Sequence, residues 1–259
     1  MKTFGGYIKS SYFCRGFNDY TLQMKYIALP TSETRQLSFY LAMEEYVARR
    51  INEPDCFFMW QVEPSVIFGR NQVLENEVNV AYCREHHIKM YRRKSGGGCV
   101  YADMDNLMLS YVGDGDQVGF TFNKFLQMML LVLRKMGVEA TSTIHNDIMI
   151  GDRKVCGTAF YQLPGRSIVH STMLYDTNMQ HMLNAITPSA EKLEKKGIQS
   201  VRQRITLLKD YVSLTLDEVK TLIRETLCKG EITLTPEQVA EIETIEQSYL
   251  KQEFIHLIK

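Results

Sequence analysis

Arg92-Arg93-Lys94-Ser95-Gly96-Gly97-Gly98 places cationic side chains and a hydroxyl directly before three consecutive glycines. Glycine has no Cβ, so its backbone N–H groups are unshielded and φ > 0 is open to it. Such a run wraps an anion, and adjacent guanidinium groups add paired donors that match phosphate geometry. The plainer reading of the same residues is a mobile turn between strands. The second informative stretch is His145-Asn146-Asp147-Ile148-Met149-Ile150-Gly151-Asp152-Arg153-Lys154-Val155-Cys156-Gly157-Thr158-Ala159. It has a polar strand entry, a two-residue hairpin signal at Gly151-Asp152, and a lysine just past the turn.

Together these residues resemble the lipoate–protein ligase family, within the wider biotin/lipoyl ligase group. The family's glycine signature, Arg-Arg-x-Ser-Gly-Gly-Gly followed by an apolar residue, stands here as Arg92 to Val100. Its catalytic-lysine signature stands as Asn146 to Ala159. Four further blocks match in order: Leu37 to Glu45, Ile67 to Gln72, His170 to Leu174, and Lys196 to Ile205. The resemblance covers roughly residues 25 to 228, and the ordered set is far more specific than any one block.

Size and composition set outer bounds. A chain of 259 residues buries one large core with at most a small appendage. Thirty basic and thirty acidic residues cancel, which leaves no global field pointing to nucleic acid or a membrane surface. No apolar run approaches the roughly 20 residues of a membrane helix. The six cysteines, at positions 14, 56, 83, 99, 156 and 228, have neither zinc-site nor disulfide-framework spacing. Reduced thiols in a cytoplasmic protein are the simplest reading.

Along the chain, residues 1–23 match nothing in the family, and the family-like stretch opens at Met24. They are expected to be an extension or the product of a start assigned too early. Residues 24–228 form the expected catalytic domain, and 229–259 the expected C-terminal helical tail. Leu37 to Ile51 has helical apolar spacing, and Phe122 to Leu133 makes a buried helix closed by Gly137. Phe57 to Gln61 and Ser65 to Phe68 are expected as paired strands, and Ile88 to Arg92 and Leu107 to Val112 as strands flanking the glycine loop. Ser167 to Tyr175 is another strand. Capping boxes at Thr215/Glu218 and Thr235/Gln238 predict closing helices over about 216–228 and 236–254. Helices alternate irregularly with hairpins, which predicts an α+β fold: a mixed, mainly antiparallel sheet flanked by helices. The resemblance implies the same architecture, that of the biotin/lipoyl ligase catalytic domain. Many family members continue into a C-terminal accessory domain, for which no candidate segment follows the predicted helices.

The resemblance implies ATP-dependent activation of lipoate, or octanoate, to the acyl-adenylate. Transfer to a lysine of a lipoyl-domain acceptor would follow, on a 2-oxoacid dehydrogenase E2 or a glycine cleavage H protein. Charge builds on the α-phosphate in transit, so the site needs fixed cations, N–H donors and Mg2+ for the polyphosphate. By resemblance Lys154 is catalytic and contacts both acyl carboxylate and phosphate. Arg93, Ser95, Gly96, Gly97, Gly98, Cys99, Val100, Tyr101, Asn146 and Asp147 are implied to bind the nucleotide with it. Asp147 is the implied metal ligand, though a turn cap is its plainer role. Arg70 and His170 are implied at the acyl pocket, against a structural turn and a hydrogen-bonded structural histidine. Strand alternation predicts Lys154 and Cys156 on one face, with Arg153 and Val155 on the other. The basic run Lys192, Lys195, Lys196, Arg202, Arg204 and Lys209 is either a solvated face or an acceptor-docking surface.

Three departures from the family pattern stand out. Asp105 replaces a glycine before Asn106, which predicts a looser loop. Ser171 replaces the glycine of His-Gly-Thr, which predicts an extra side chain near the site. Cys156 replaces a small residue and raises a rival reading: an ATP-independent lipoyl/octanoyl transferase with a cysteine nucleophile. A third reading is a lipoate-binding subunit that needs a separate accessory protein.

Overall fold

The computed structural model describes residues 24–115, 117–143, 147–186 and 204–257. The strands are β1 (Met24–Ala28), β2 (Asp55–Trp60), β3 (Ser65–Phe68), β4 (Lys89–Arg92), β5 (Val100–Ala102), β6 (Asn106–Asp114), β7 (Thr141–Ser142), β8 (Asp147–Ile150), β9 (Arg153–Leu163), β10 (Arg166–Leu174) and β11 (Cys228–Thr233). The helices are α1 (Leu37–Arg50), α2 (Leu74–Glu77), α3 (Val80–Glu85), α4 (Val118–Lys135), α5 (Met179–Ala185), α6 (Leu216–Leu227), α7 (Pro236–Leu250) and α8 (Gln252–His256).

The main sheet runs β11-β1-β2-β6-β10-β9-β8-β7. It is parallel where β1 meets β11 and β2, and antiparallel elsewhere. A smaller sheet, β4-β3-β5, carries the glycine loop between β4 and β5. This is the mixed, mainly antiparallel α+β architecture expected. Helices α1 and α7 cover one face of the main sheet through a core that includes Phe39, Met43, Phe58 and Ile242. On the other face, α4 and α6 build a second core from Phe125, Met129, Val132 and Ile223.

The predicted helix signals act as written. Thr215 and Thr235 each cap their helix in a complete capping box, and Pro236 opens α7. Gly137 follows α4 at φ +80°, the left-handed C′ position where glycine is least strained. Gly151 turns the β8–β9 hairpin at φ +59°.

Several local expectations are corrected. β2 and β3 do not pair: β2 lies between β1 and β6, while β3 is the centre of the small sheet. Every residue of β3 is buried, so it needs a neighbour on each edge, and β4 and β5 supply them. The expected helix over 236–254 breaks at extended Lys251 and resumes as α8. The chain after residue 227 begins with a strand, whose parallel pairing to β1 has no local turn or periodicity to announce it. Asp105 does not loosen its turn. The Asp103 carboxylate accepts the Asp105 N–H at 3.1 Å and the Asn178 N–H at 2.9 Å, an Asx-type closure that needs no glycine.

The most consequential correction lies in β9. Ile148 pairs with Cys156, but Met149 pairs with Lys154, so Val155 is an extra residue and the strand bulges. The bulge reverses the alternation. Lys154 shares a face with Asp147 and Gly157, while Cys156 joins Ile148 in the core beneath the opposite face. Ser171 sits across from Thr158 and alternates with His170, so its side chain also leaves the Lys154 face. Burial pushes the Cys156 thiol up to about 12, the reverse of an activated nucleophile.

Two measurements check these points. Ile242 is fully buried between α7 and α1, so Ile242→Ala should destabilise the whole protein by about 2–5 kcal/mol in one urea transition. An unchanged main transition would make α7 a detachable appendage. With its folded pKa raised, Cys156 stays a protonated thiol at pH 8. Native protein should leave it unlabelled by iodoacetamide in peptide mass spectra, with labelling only after denaturation. Rapid native labelling would contradict the bulged register.

Candidate active site

The site forms where the glycine loop folds over the Lys154 face of the main sheet. Arg93 shapes that loop. Its guanidinium donates to Ile67 O (3.1 Å), to Gly96 O (2.6 Å from Nη2) and to Gly98 O (2.7 Å), while Nε donates to Ser95 Oγ at 2.9 Å. Arg92, the residue before it, anchors the adjoining 69–72 segment in the same way. It donates to Gly69 O, Arg70 O and Gln72 O at 2.7–3.0 Å, and to Ile255 O of α8 at 2.8 and 3.0 Å. Burial pulls Arg93 down to about 10, which still leaves it a cation at neutral pH. The two guanidiniums therefore bind carbonyls of their own chain rather than presenting a paired anion clamp. Each trans peptide points its N–H opposite its C=O, so the Gly97 and Cys99 N–H groups point away from Arg93.

The 67–72 block and the 92–98 block are one physical unit. A Cβ at Gly69 would lie 2.3 Å from Gly97 O, so only glycine permits the approach. The Arg70 N–H also donates to Ser95 O at 2.9 Å. Gly97 alone of the three loop glycines has positive φ, at +89°, whereas Gly96 and Gly98 have open space where a Cβ would sit.

Under the loop lies a slot of about 130 Å³. Leu41, Trp60, Ile67 and Met108 make its apolar end. Gly97, Gly98, Cys99, Val100, Arg93, His170 and Lys154 line the rest, with Gly157, Thr158, Ala159, Thr172 and Ser171, which is near the site as expected although its strand position turns its side chain to the other face. Lys154 Nζ pairs with Asp147 Oδ1 at 2.7 Å. The lysine lies flat over Gly157, where a Cβ would meet its Nζ and Cε at 2.7 Å. Its backbone is pinned on the other side too, because Lys154 O accepts the Thr206 N–H at 2.9 Å.

His170 lines the slot with its ring, but both ring nitrogens have protein partners. Nδ1 is 2.9 Å from Glu44 Oε2, and Nε2 is 2.7 Å from Ser95 Oγ. Ser95 itself is buried beneath the loop. Tyr101 points away: its ring packs with Val66, Phe68 and Leu74 in a third core, and burial pushes its hydroxyl up. Arg70 and Gly96 line a wider groove of about 870 Å³ instead, with Arg49, Lys94, Phe122 and Phe254. That groove meets the slot at Gly97, Thr158 and Ala159. Asn146 lies outside the described residues, as do Lys192, Lys195, Lys196 and Arg202 of the basic run. Of the remainder, Arg204 is exposed and Lys209 pairs with Asp176 at 2.5 Å.

Glu44, Trp60, Ser110 and Met108 were not singled out from sequence. Glu44 hides inside a helical run in which every residue from Leu37 to Ala48 is buried. A carboxylate in such a run is itself the signal, because a fully buried charge demands a partner. Among the described residues no group of three or more His, Cys, Asp or Glu side chains is placed to hold a metal. A divalent ion would meet Asp147 as a single protein carboxylate, which is how Mg2+ commonly rides with a polyphosphate.

A family model for the lipoyl protein ligase A/B catalytic domain matches residues 36–228. Lipoate–protein ligase 1 of Staphylococcus aureus (strain Mu50 / ATCC 700699) is 36% identical over 191 residues, covering 72% of this chain and 58% of that protein. Lipoate-protein ligase LplJ of Bacillus subtilis (strain 168) is 33% identical over 202 residues, covering 76% and 61%. The chain thus spans about three-fifths of the length of these relatives. Among solved structures, a bi-partite lipoate protein ligase of Thermoplasma acidophilum, described with its E2 lipoyl domain, superposes with a TM-score of 0.80 at 26% identity. It covers 91% of this chain and 96% of that one. A lipoate-protein ligase A bound with ATP gives 0.78 at 25% identity, covering 90% and 98%. The glycine-loop and lysine-hairpin blocks both fall inside the matched span, and the chain belongs to the lipoyl protein ligase A/B catalytic-domain family.

Proposed function

We propose that this chain joins lipoate, or octanoate, to the α-phosphate of ATP and passes the acyl group to a lysine of a lipoyl-domain acceptor. The observation that carries this reading is Lys154: an ammonium laid across Gly157, beside Asp147, at the polar end of an apolar slot. In the first step a carboxylate oxygen attacks the α-phosphorus and pyrophosphate departs. Both reactants are anionic, so a fixed ammonium between them lowers repulsion and stabilises charge as it shifts to phosphorus. In the second step the acceptor amine attacks the acyl carbonyl, loses a proton, and AMP leaves.

The roles then divide by position. Leu41, Trp60 and Met108 take the alkyl arm, with the His170 ring as one wall. The N–H groups of Gly97 and Cys99, with Gly98, Val100 and Lys154, face the nucleotide. Arg93 and Ser95 serve the nucleotide by fixing the loop, and Asp147 holds Lys154 in place until substrate competes for it. Mg2+, carried by the polyphosphate, would neutralise the leaving group, and Asp147 and neighbouring Asn146 are its candidate protein partners. The wider groove, with Arg49, Arg70 and Lys94, is the approach for the acceptor. Acceptors of the E2 or H-protein kind fit this reading. The Thermoplasma relative is described as bi-partite, which supports participation of a separate accessory protein in this reading.

The cysteine-transferase alternative is disfavoured by Cys156, which is fully buried on the face opposite Lys154. The described cysteines are free thiols, and no described helix is long and apolar enough to cross a membrane. A cytoplasmic setting with reduced thiols and abundant ATP suits the proposed chemistry.

Lipoate-dependent ATP–pyrophosphate exchange tests the proposal. The purified chain, alone or with a second protein, should catalyse exchange, and Lys154→Ala should lower it about 10²–10³-fold. Gly157→Ala should keep its Tm within a few degrees yet lower exchange about tenfold or more, because the new methyl displaces a flexible ammonium rather than backbone. A Lys154→Ala rate within about tenfold of wild type would remove the lysine from the chemistry.

A further inference from the structure

Six side chains form one unbroken line from the floor of the acyl slot to the glycine loop. Trp60 Nε1–H donates to Ser110 Oγ at 2.9 Å, and Ser110 donates to Glu44 Oε1 at 2.6 Å. Glu44 then meets His170 Nδ1 at 2.9 Å through Oε2, His170 Nε2 meets Ser95 Oγ at 2.7 Å, and Arg93 Nε–H donates to Ser95 Oγ at 2.9 Å.

With Glu44 ionised and His170 a neutral imidazole, the line has a single sense of donation. Trp60 and Arg93 only donate, and an ionised Glu44 only accepts. Glu44 takes the Nδ1–H of His170, and in that neutral tautomer Nε2 is an acceptor. Ser95 must give its hydroxyl proton to Nε2 while its oxygen receives Arg93 Nε–H. Every hydroxyl proton and lone pair used is thereby assigned. Glu44 and Ser110 are fully buried, and Ser95 is 1% exposed, so water cannot replace a missing link. A buried network of this kind holds its members more tightly than separate pairs would.

Both ends bear on proposed substrate sites. Trp60 and the His170 ring form walls of the slot, and Arg93 holds Gly96 O and Gly98 O in the loop. We propose that Glu44 is a positioning residue whose hydrogen-bonded line couples the two substrate sites: an alkyl arm packed against Trp60 and His170 fixes the glycine loop for the nucleotide. This coupling rests on the acyl-activating reading above, and it assigns to the buried carboxylate a role at a distance from the reacting atoms. Two anionic substrates would otherwise oppose each other's binding. A shared rigid element offsets that repulsion, because the first ligand bears the ordering entropy and the second does not.

Substitution at either end of the carboxylate–histidine–serine segment breaks the line differently. Glu44→Gln is isosteric but replaces one acceptor oxygen with an NH₂ that opposes either Ser110 O–H or His170 Nδ1–H. Ser95→Ala removes the relay oxygen and buries no unpaired charge. The readout is the dissociation constant of α,β-methylene-ATP with and without saturating lipoate, by calorimetry on wild type and both variants.

In wild type, lipoate should tighten the analogue at least about fivefold. In each variant the factor should fall to within about twofold of unity, a loss that lowered stability alone does not produce. If Glu44→Gln lacks a cooperative unfolding transition, Ser95→Ala decides by itself. A variant that keeps the wild-type factor, or a wild type in which lipoate does not tighten the analogue, overturns the coupling. Lipoate-dependent exchange by wild type, measured alongside, reports separately on whether the chain activates the acid.

Discussion

Two neighbouring arginines turned inward onto their own backbone are the constraint on which the rest of the site depends. A run of three glycines has no side chains to define its path and loses much conformational entropy on ordering. Arg92 and Arg93 supply the definition that the glycines lack. Each guanidinium gathers carbonyls from segments far apart in sequence: residues 67–72, 96–98 and, through Ile255, the last helix. Charge-assisted bonds of this kind are stronger than neutral ones, and losing one buried partner leaves the other unsatisfied. The Gly96 and Gly98 carbonyls face Arg93, so the amides that follow them point away from it. On the proposed reading, an anion would meet amides that these cations orient.

Helix α1 is the frame for this arrangement. Its successive glutamates point about a hundred degrees apart and serve two regions. Glu44 turns to the sheet and meets His170 and Ser110. Glu45 turns to the outer groove, where it pairs with Lys94 and Arg49 and accepts the Tyr249 hydroxyl at 2.5 Å. Lys94 Nζ also lies 4.5 Å from the centre of the Tyr249 ring. Helix α7 thus touches the glycine loop through Tyr249, and α8 touches it through Arg92. Segments after residue 228, beyond the span matched by the family model, help hold the loop that the family signature defines.

Much of this was legible in the sequence where local chemistry decides the outcome. The capping boxes, Gly137, and the Gly151 hairpin each follow from short-range rules, and the structure places them as expected. The glycine loop and Lys154 were singled out by resemblance to the family's ordered blocks, and the structure brings both to one slot. What failed depended on partners distant in sequence. Whether β2 pairs with β3 or with β6 is set by which edges are free, and nothing in Phe57 to Phe68 states it. The bulge at Val155 is one residue of slippage against β8, invisible in a strand of uniform character, yet it decides which face carries Cys156. Arg93 is an implied nucleotide contact by resemblance; its guanidinium lines the slot while donating to the Gly96 and Gly98 carbonyls, partners that no sequence spacing announces. Glu44 was missed because a helical pattern marks it as one more residue on a periodic face.

A crystal structure with a non-hydrolysable acyl-sulfamoyl adenosine is the most direct measurement of how this site works. The expected result has Lys154 Nζ moved from Asp147 to hydrogen-bond distance of the sulfamoyl group, and the acyl chain between Trp60 and His170. Arg93 should remain on the Gly96 and Gly98 carbonyls. An Arg93 swung out onto the sulfamoyl group, with Lys154 still paired to Asp147, would contradict the division of labour between the two cations.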